Sequence, residues 1–275
     1  MRPRRIMGIA VAVIVVVLAV GWLGFQFKPA PFEDYPEPSQ PAEIVPLPEG
    51  LPDPVERYYR AAYGDEIPVV HSVVITGRAE MRPFGLWLPA RYRFTHDAGQ
   101  GYRHYIEATW FRIPIMKIDE SYIDGKALME LPWMKDEGEK LDQAANIGMW
   151  AELAASAPAV FLTDTRVRWQ AVDDETAILV VPFGDDATDT FVVRFDPETD
   201  QIASLEAMRY RDSKSAAKVL WVAAYEDDSE TIGDAGVPAT GKATWLDQGK
   251  PWAYFTAEDI RINVAVDEYV RARGL

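Results

Sequence analysis

The chain has no cysteine among its 275 residues. Disulfide staples, thiolate metal sites and thiol nucleophiles are therefore excluded, and an exported domain of this sequence must be held together by its core alone. Histidine is scarce, with three residues. His71, His96 and His104 are separated too irregularly along the chain to suggest a metal site, and within strand patterns a hydrogen-bonded structural histidine is the expectation. No G-x-S-x-G elbow, HExxH helix or phosphate-cradling glycine loop occurs. Positive charge is also short: 28 Lys and Arg stand against 43 Asp and Glu, for a net charge of −15. The four basic residues before residue 29 leave −19 on the remainder. Such a surface repels nucleic acid and anionic lipid, so no nucleic-acid partner is expected.

What the chain does have is one long apolar run. Ile6 to Phe25 are twenty uncharged residues preceded by Arg2, Arg4 and Arg5. At 1.5 Å per residue the run spans about 30 Å, the thickness of a bilayer's hydrocarbon core. It exceeds the apolar stretch of an ordinary signal peptide, and no small-x-small cleavage site closes it. Residues 1–28 are therefore expected to be a cytoplasmic stub and an uncleaved single-pass anchor in the cytoplasmic membrane. The arginines favour an amino terminus inside and a domain in the periplasm or extracellular space. Seven prolines between Lys28 and Gly50 predict an extended, semi-rigid stalk over 29–50, up to roughly 60 Å long if fully polyproline-like.

Residues 51–275 read as one β-rich domain. Asp53, Pro54 and Glu56 form a capping signal for a helix carrying Val55, Tyr58, Tyr59, Ala62 and Tyr63, closed by Gly64. The period then falls to two: Val73, Ile75, Ala79 and Met81 alternate with charged residues, Ala90, Tyr92 and Phe94 with Arg91 and Arg93, and His104, Ile106, Ala108 and Trp110 with Arg103, Tyr105 and Glu107. That is the pattern of antiparallel strands with one face in water. Asp124-Gly125 marks a tight hairpin. Alanine-rich Gly138–Ala157, ended by Pro158, predicts a second helix. Strand patterns resume from Val167 through Tyr225, Asp247-Gln248-Gly249 marks a further turn, and Ile260 to Val266 alternate last. The fold class expected is α+β, mainly antiparallel: a curved sheet or half-barrel on one or two helices, after a transmembrane helix.

Several short stretches carry a resemblance. Leu51-Pro52-Asp53-Pro54-Val55-Glu56-Arg57-Tyr58-Tyr59, Asp119–Gly125, Leu141-Asp142-Gln143 through Trp150-Ala151-Glu152-Leu153 and Pro158, and Val167-Arg168-Trp169 are together similar to an uncharacterised bacterial family of membrane-anchored or exported proteins. Lys126-Ala127-Leu128 departs from it by lacking a second glycine. No catalytic role is carried over from the resemblance, and no cofactor is expected.

The candidate site residues are therefore chosen by physical chemistry. Trp87, Trp110, Phe111, Trp133, Trp150 and Trp169 are large apolar groups, each tryptophan with one donor to satisfy. Trp110-Phe111-Arg112-Ile113-Pro114-Ile115-Met116 and Leu131-Pro132-Trp133-Met134 place bulky residues at consecutive positions, so they are buried on both sides or line a groove. Glu152 sits in the alanine-rich helix, where a buried carboxylate needs a raised pKa or a partner, with Arg57, Arg78 and Arg168 as candidates. Acidic clusters at Asp173-Asp174-Glu175, Asp185-Asp186 and Glu226-Asp227-Asp228 lack the spacing of a calcium loop and read as solvated turns. The leading expectation is a tethered domain binding a lipid or apolar small molecule in the concave face of its sheet. The alternatives are an envelope scaffold that meets another envelope protein, and a hydrolase using Glu152 or other carboxylates.

Overall fold

The computed structural model describes residues 3–83, 85–226, 230–233 and 235–272. Arg2 of the basic start and Asp227 and Asp228 of one acidic cluster lie outside them. Helix α1, Pro3–Gly24, is long and apolar enough to cross a membrane. Its side chains from Met7 to Leu23 are uncharged and almost all exposed, so an apolar helix without a polar face stands clear of the domain's core.

The segment after α1 is not a free spacer. Phe32 and Tyr35 are buried, the Tyr35 hydroxyl donates to the Ala265 carbonyl (2.8 Å), and Gln40 N donates to Asn263 O (2.8 Å). Strand β1, Ile44–Pro46, then pairs with β2, Glu66–Pro68. Proline removes donors, but carbonyls remain: Arg93 donates to Glu33 O and Arg261 to Tyr35 O. With aromatic rings between the prolines, burial outweighs solvation of an extended chain, and residues 32–46 lie along the domain. Helix α2, Asp53–Tyr63, begins one residue earlier than expected, at the predicted cap itself: Pro52 is the N-cap and no side-chain cap bond is made.

Thirteen strands form one antiparallel sheet. The first meander is β3 (Ser72–Met81), β4 (Leu88–Asp97), β5 (Gly101–Trp110), β6 (Ile113–Ile123), β7 (Lys126–Leu131) and β8 (Met134–Glu137). Helix α3, Glu139–Ala154, and the single turn α4, Val160–Thr163, follow. The second run is β9 (Arg168–Asp173), β10 (Thr176–Phe183), β11 (Ala187–Phe195), β12 (Ile202–Arg209) and β13 (Val219–Tyr225). A small excursion, β14 (Thr231–Ile232) with β15 (Val237–Pro238), precedes β16 (Thr240–Trp245) and the long β17 (Lys250–Ile262). β17 returns to pair with β3, joining the two meanders in the order β8-β7-β6-β5-β4-β3-β17-β16-β13-β12-β11-β10-β9. Asp124 (φ 52°) and Gly125 (φ 74°) make the expected two-residue hairpin. A short helix α5, Asp267–Arg271, ends the described chain.

Between the outer strands, β8 and β9, the chain passes through α3, which lies in the concavity and is buried nearly all round. Its polar residues are pinned rather than solvated. Asp142 accepts from Ala127 N (2.7 Å) and Lys126 Nζ (2.9 Å), while Asp189 of β11 accepts from Gln143 Nε2 (2.9 Å) and Asn146 Nδ2 (3.0 Å). The expectation of one wet sheet face fails locally. Val74 on the outer face of β3 packs with Tyr35, Val264, Val266 and Val270, and Arg93 and Arg103 are buried there. The amino-terminal segment and α5 cover strands that alternation alone assigned to water.

Candidate functional site

Hairpin register builds the site. The three residues between β4 and β5 put Phe94 opposite His104 and His96 opposite Tyr102. All four rings therefore stand on one face of the sheet, the face toward α3. His104 is held between two rings, Tyr102 at 3.8 Å (14° between planes) and Phe94 at 3.9 Å (30°). Tyr102 is itself fixed by donating to Glu120 Oε1 (2.5 Å).

Glu152 reaches this face from the last turns of α3. Its Oε2 lies 2.8 Å from His104 Nε2 and 3.2 Å from His96 Nε2. His96 is fully buried, and the Glu152 side chain keeps 26% of its exposure toward the cleft described below. None of these three atoms makes an aligned hydrogen bond, and His96 Nδ1 has no partner either. Burial pushes the His96 imidazole below its ordinary pKa, toward the neutral form. Burial also pushes the Glu152 carboxyl up, but His104 first and then His96 more than offset it and hold it at about 2. The site thus presents an ionised carboxylate to imidazole nitrogens. None of the three arginines suggested by the sequence is the partner: Arg57 pairs with Asp200 and Arg78 with Glu258, and no contact joins Arg168 to Glu152 among the described residues.

Glu152 also lines an apolar cleft of about 110 Å³ between α3 and the inner faces of β3, β4, β13, β16 and β17. Ile75, Tyr92, Phe94, Ala151, Trp221 and Phe255 provide most of its bulk. Tyr92, Phe94 and Phe255 form a ring cluster with centroids 4.5–5.6 Å apart, so one wall is aromatic. A larger cleft of about 580 Å³ at the β4–β5 and β6–β7 turns is lined by Asp97, Asp124, Lys126, Arg166, Asp267 and Arg271 among others. That lining suits solvent, not an apolar guest.

Of the seven residues singled out in the sequence, Glu152 alone lines the apolar cleft. Trp150 is fully buried core beside Phe161, and Trp169 packs on Phe161 and Phe195. The other four lie at one end of the sheet. Trp110 Nε1 donates to Gly21 O (3.0 Å) of α1, and Phe111 N donates to Gly24 O (2.8 Å) with its ring against Phe27. Trp87, at the β3–β4 turn, lies tilted against Tyr254 with ring centroids 5.6 Å apart, and Trp133 is 58% exposed at the β7–β8 turn. The two doubly apolar segments are thus the ends of the neighbouring β5–β6 and β7–β8 hairpins, where Ile113, Ile115, Trp133 and Met134 are exposed and Met116 is buried.

His96 and His104 were missed by spacing along the chain. The signal lay in phase: extending the Tyr92–Phe94 alternation by two residues reaches His96, and the turn at Ala98–Gln100 returns His104 to the same face.

The family model described as "Family of unknown function (DUF6544)" matches residues 43–257. No curated protein matches the sequence. Among solved structures, the chain is similar to an outer membrane lipoprotein-sorting protein domain from Vibrio parahaemolyticus (11% identity, TM-score 0.44, 78% of this chain and 93% of that one). It is similar to a LolA superfamily protein from Nitrosomonas europaea (11% identity, TM-score 0.44, 80% and 96%). It is also similar to a DUF1329 family protein from Desulfovibrio piger (14% identity, TM-score 0.39, 78% and 96%). Likeness at this level assigns no ligand or partner.

Proposed function

We propose that this protein, which belongs to the family of unknown function DUF6544, is a membrane-tethered domain that takes the apolar part of a lipid-like ligand into the cleft beside Glu152. The observation that carries the reading is the cleft itself, an apolar space with one convergent polar cluster, the usual make-up of a small-molecule site. Its size sets a limit. An engineered apolar cavity of about 150 Å³ holds benzene, so about 110 Å³ takes a few carbons. The guest is then the end of an acyl or similar chain, with the remainder leaving through the mouth.

Tethering is supported by α1 and by the sheet end it meets. The β3–β4, β5–β6 and β7–β8 turns share that end, and they expose Leu86, Trp87, Ile113, Ile115, Trp133 and Met134. Tryptophan and aliphatic residues beside the exit of a membrane helix are suited to the bilayer interface. In this reading the rim seats on the outer leaflet and the cleft opens within reach of lipid.

The test is native mass spectrometry of full-length protein released from mild detergent. Bound apolar molecules are expected in the wild type, and their occupancy should fall in Ala223→Trp, which fills the cleft wall. Folded protein that is empty in both defeats the reading. The exposed rim favours a second reading, contact with another envelope protein. A stoichiometric protein cross-linked at residue 133, with the cleft empty, would support that one instead.

A further inference from the structure

We propose that His96, His104 and Glu152 form a binding site for one divalent transition-metal ion of the zinc class. The ligand atoms, one from each residue, all lie within 4.8 Å of one another. Two of the separations are 2.8 and 3.2 Å. The edge of a tetrahedron with 2.0–2.1 Å metal bonds is about 3.3 Å, so the two carboxylate–imidazole separations need to open by about half an ångström or less, and the imidazole–imidazole separation, within 4.8 Å, needs to settle to the same edge. Two imidazole nitrogens with one carboxylate oxygen suit zinc or ferrous iron, whereas calcium and magnesium take oxygen shells.

A proton shared between the carboxylate and the histidines is the competing explanation for the cluster. It does not account for the polar atoms. In a proton-sharing cluster the N–H groups point at the carboxylate, yet here His104 Nε2, His96 Nε2 and Glu152 Oε2 are buried with no aligned hydrogen bond. A buried polar atom left in that state carries a desolvation penalty. An ion bonded to all three removes those penalties together.

The ligands are also held in place. His104 cannot swing, because Phe94 and Tyr102 close on both faces of its ring. His96 is enclosed within β4, and Glu152 is carried by a helix whose polar residues are fastened to β7 and β11. Three protein ligands leave a fourth position, as in catalytic and ligand-binding zinc sites rather than structural ones. Because Glu152 lines the cleft, that position is reached from the cleft, and the guest's donor atom or a water would fill it. The ion itself requires no lipid, so the site stands whether or not the cleft holds an acyl chain.

The experiment uses full-length protein in detergent, stripped with a chelator, dialysed, and titrated with Zn²⁺ and Co²⁺. One equivalent of each is expected, with ligand-field bands of four-coordinate Co²⁺ and a rise in melting temperature. Glu152→Gln and His104→Asn should each weaken binding by at least about tenfold, while His71→Ala, outside the cluster, should leave it unchanged. Should the cluster variants not fold, X-ray absorption at the zinc edge of the wild type decides, since two imidazoles in the first coordination sphere are expected. Absence of stoichiometric binding, binding equally strong in the cluster variants, or an all-oxygen shell overturns the proposal.

Discussion

Gly77 of β3 faces β17 where the register shifts between Ala257 and Asp259. A methyl group there would stand 2.1 Å from the Thr256 carbonyl oxygen and 3.0 Å from the Tyr92 hydroxyl. Backbone cannot yield as a flexible side chain can, so Gly77→Ala should lower stability by about 1–3 kcal/mol, as overpacking does. A urea unfolding curve of the variant measures it. Asp164 gives a pH-dependent case. Burial pushes its carboxyl up, but Arg166, through side-chain and backbone N–H groups, holds it below the ordinary carboxylate range. A lowered folded-state pKa adds stability above the unfolded value, and that increment is lost as pH falls through the folded value. Wild type should therefore exceed Asp164→Asn in denaturation midpoint at pH 7, with the gap closing as the pH falls below the ordinary carboxylate range. A constant gap down to acid would show that charge is not the cause.

Among the elements, α3 decides the interior. Asp189 accepts from two amides of the helix, and Pro182 O accepts from Asn146 (3.1 Å). Asp189→Ala takes a charged acceptor from both amides and leaves Gln143 with Met208 O and Asn146 with Pro182 O, and a loss of about 2–3 kcal/mol follows from hydrogen bonds to a charged group. Chemical denaturation is the measurement, and hydrogen exchange should show α3 loosening before the sheet. Because α3 carries Glu152, the same variant should also weaken the cleft's hold on any guest. The sequence makes this helix legible by its alanines and Pro158. It does not show which face is inward, since polar Asp142, Gln143 and Asn146 are as buried as Leu141 and Ile147. Hydropathy reads such residues as exposed. Only their partners on β7 and β11 show why they are inside.

Across the whole molecule, the segment between α1 and α2 behaves as a strap. Tyr35 is inserted beside Val74 and Val264, and the chain then crosses to Asn263 and β2. Tyr35→Ala removes the anchor ring and its bond to Ala265 O. Amides of Gln40 and Leu47, bonded to Asn263 O and Asp65 O, should then exchange faster, while those in the middle of β4 keep their protection. Hydrogen-exchange mass spectrometry reads both in one experiment. The strap also bears on the tethered arrangement proposed above. In that arrangement a free stalk would hold the sheet far from a bilayer, whereas the bonds from Trp110 and Phe111 to the end of α1 keep the hairpin rim beside the end of the apolar helix.

Sequence by itself determined the apolar helix, the antiparallel strands and most of their turns, because these follow from the identity and period of neighbouring residues. Asp124-Gly125 is a hairpin wherever it stands between two such runs. Pairings between distant residues were decided by tertiary structure alone. β17 closes onto β3 across some 180 residues, the proline segment folds back because Phe32 and Tyr35 find a surface, and a carboxylate on α3 meets two histidines from a hairpin. Local pattern carries the energy of the backbone and of one face at a time, whereas a site is a coincidence of faces from separate elements. Its chemistry exists only once the core has brought them together.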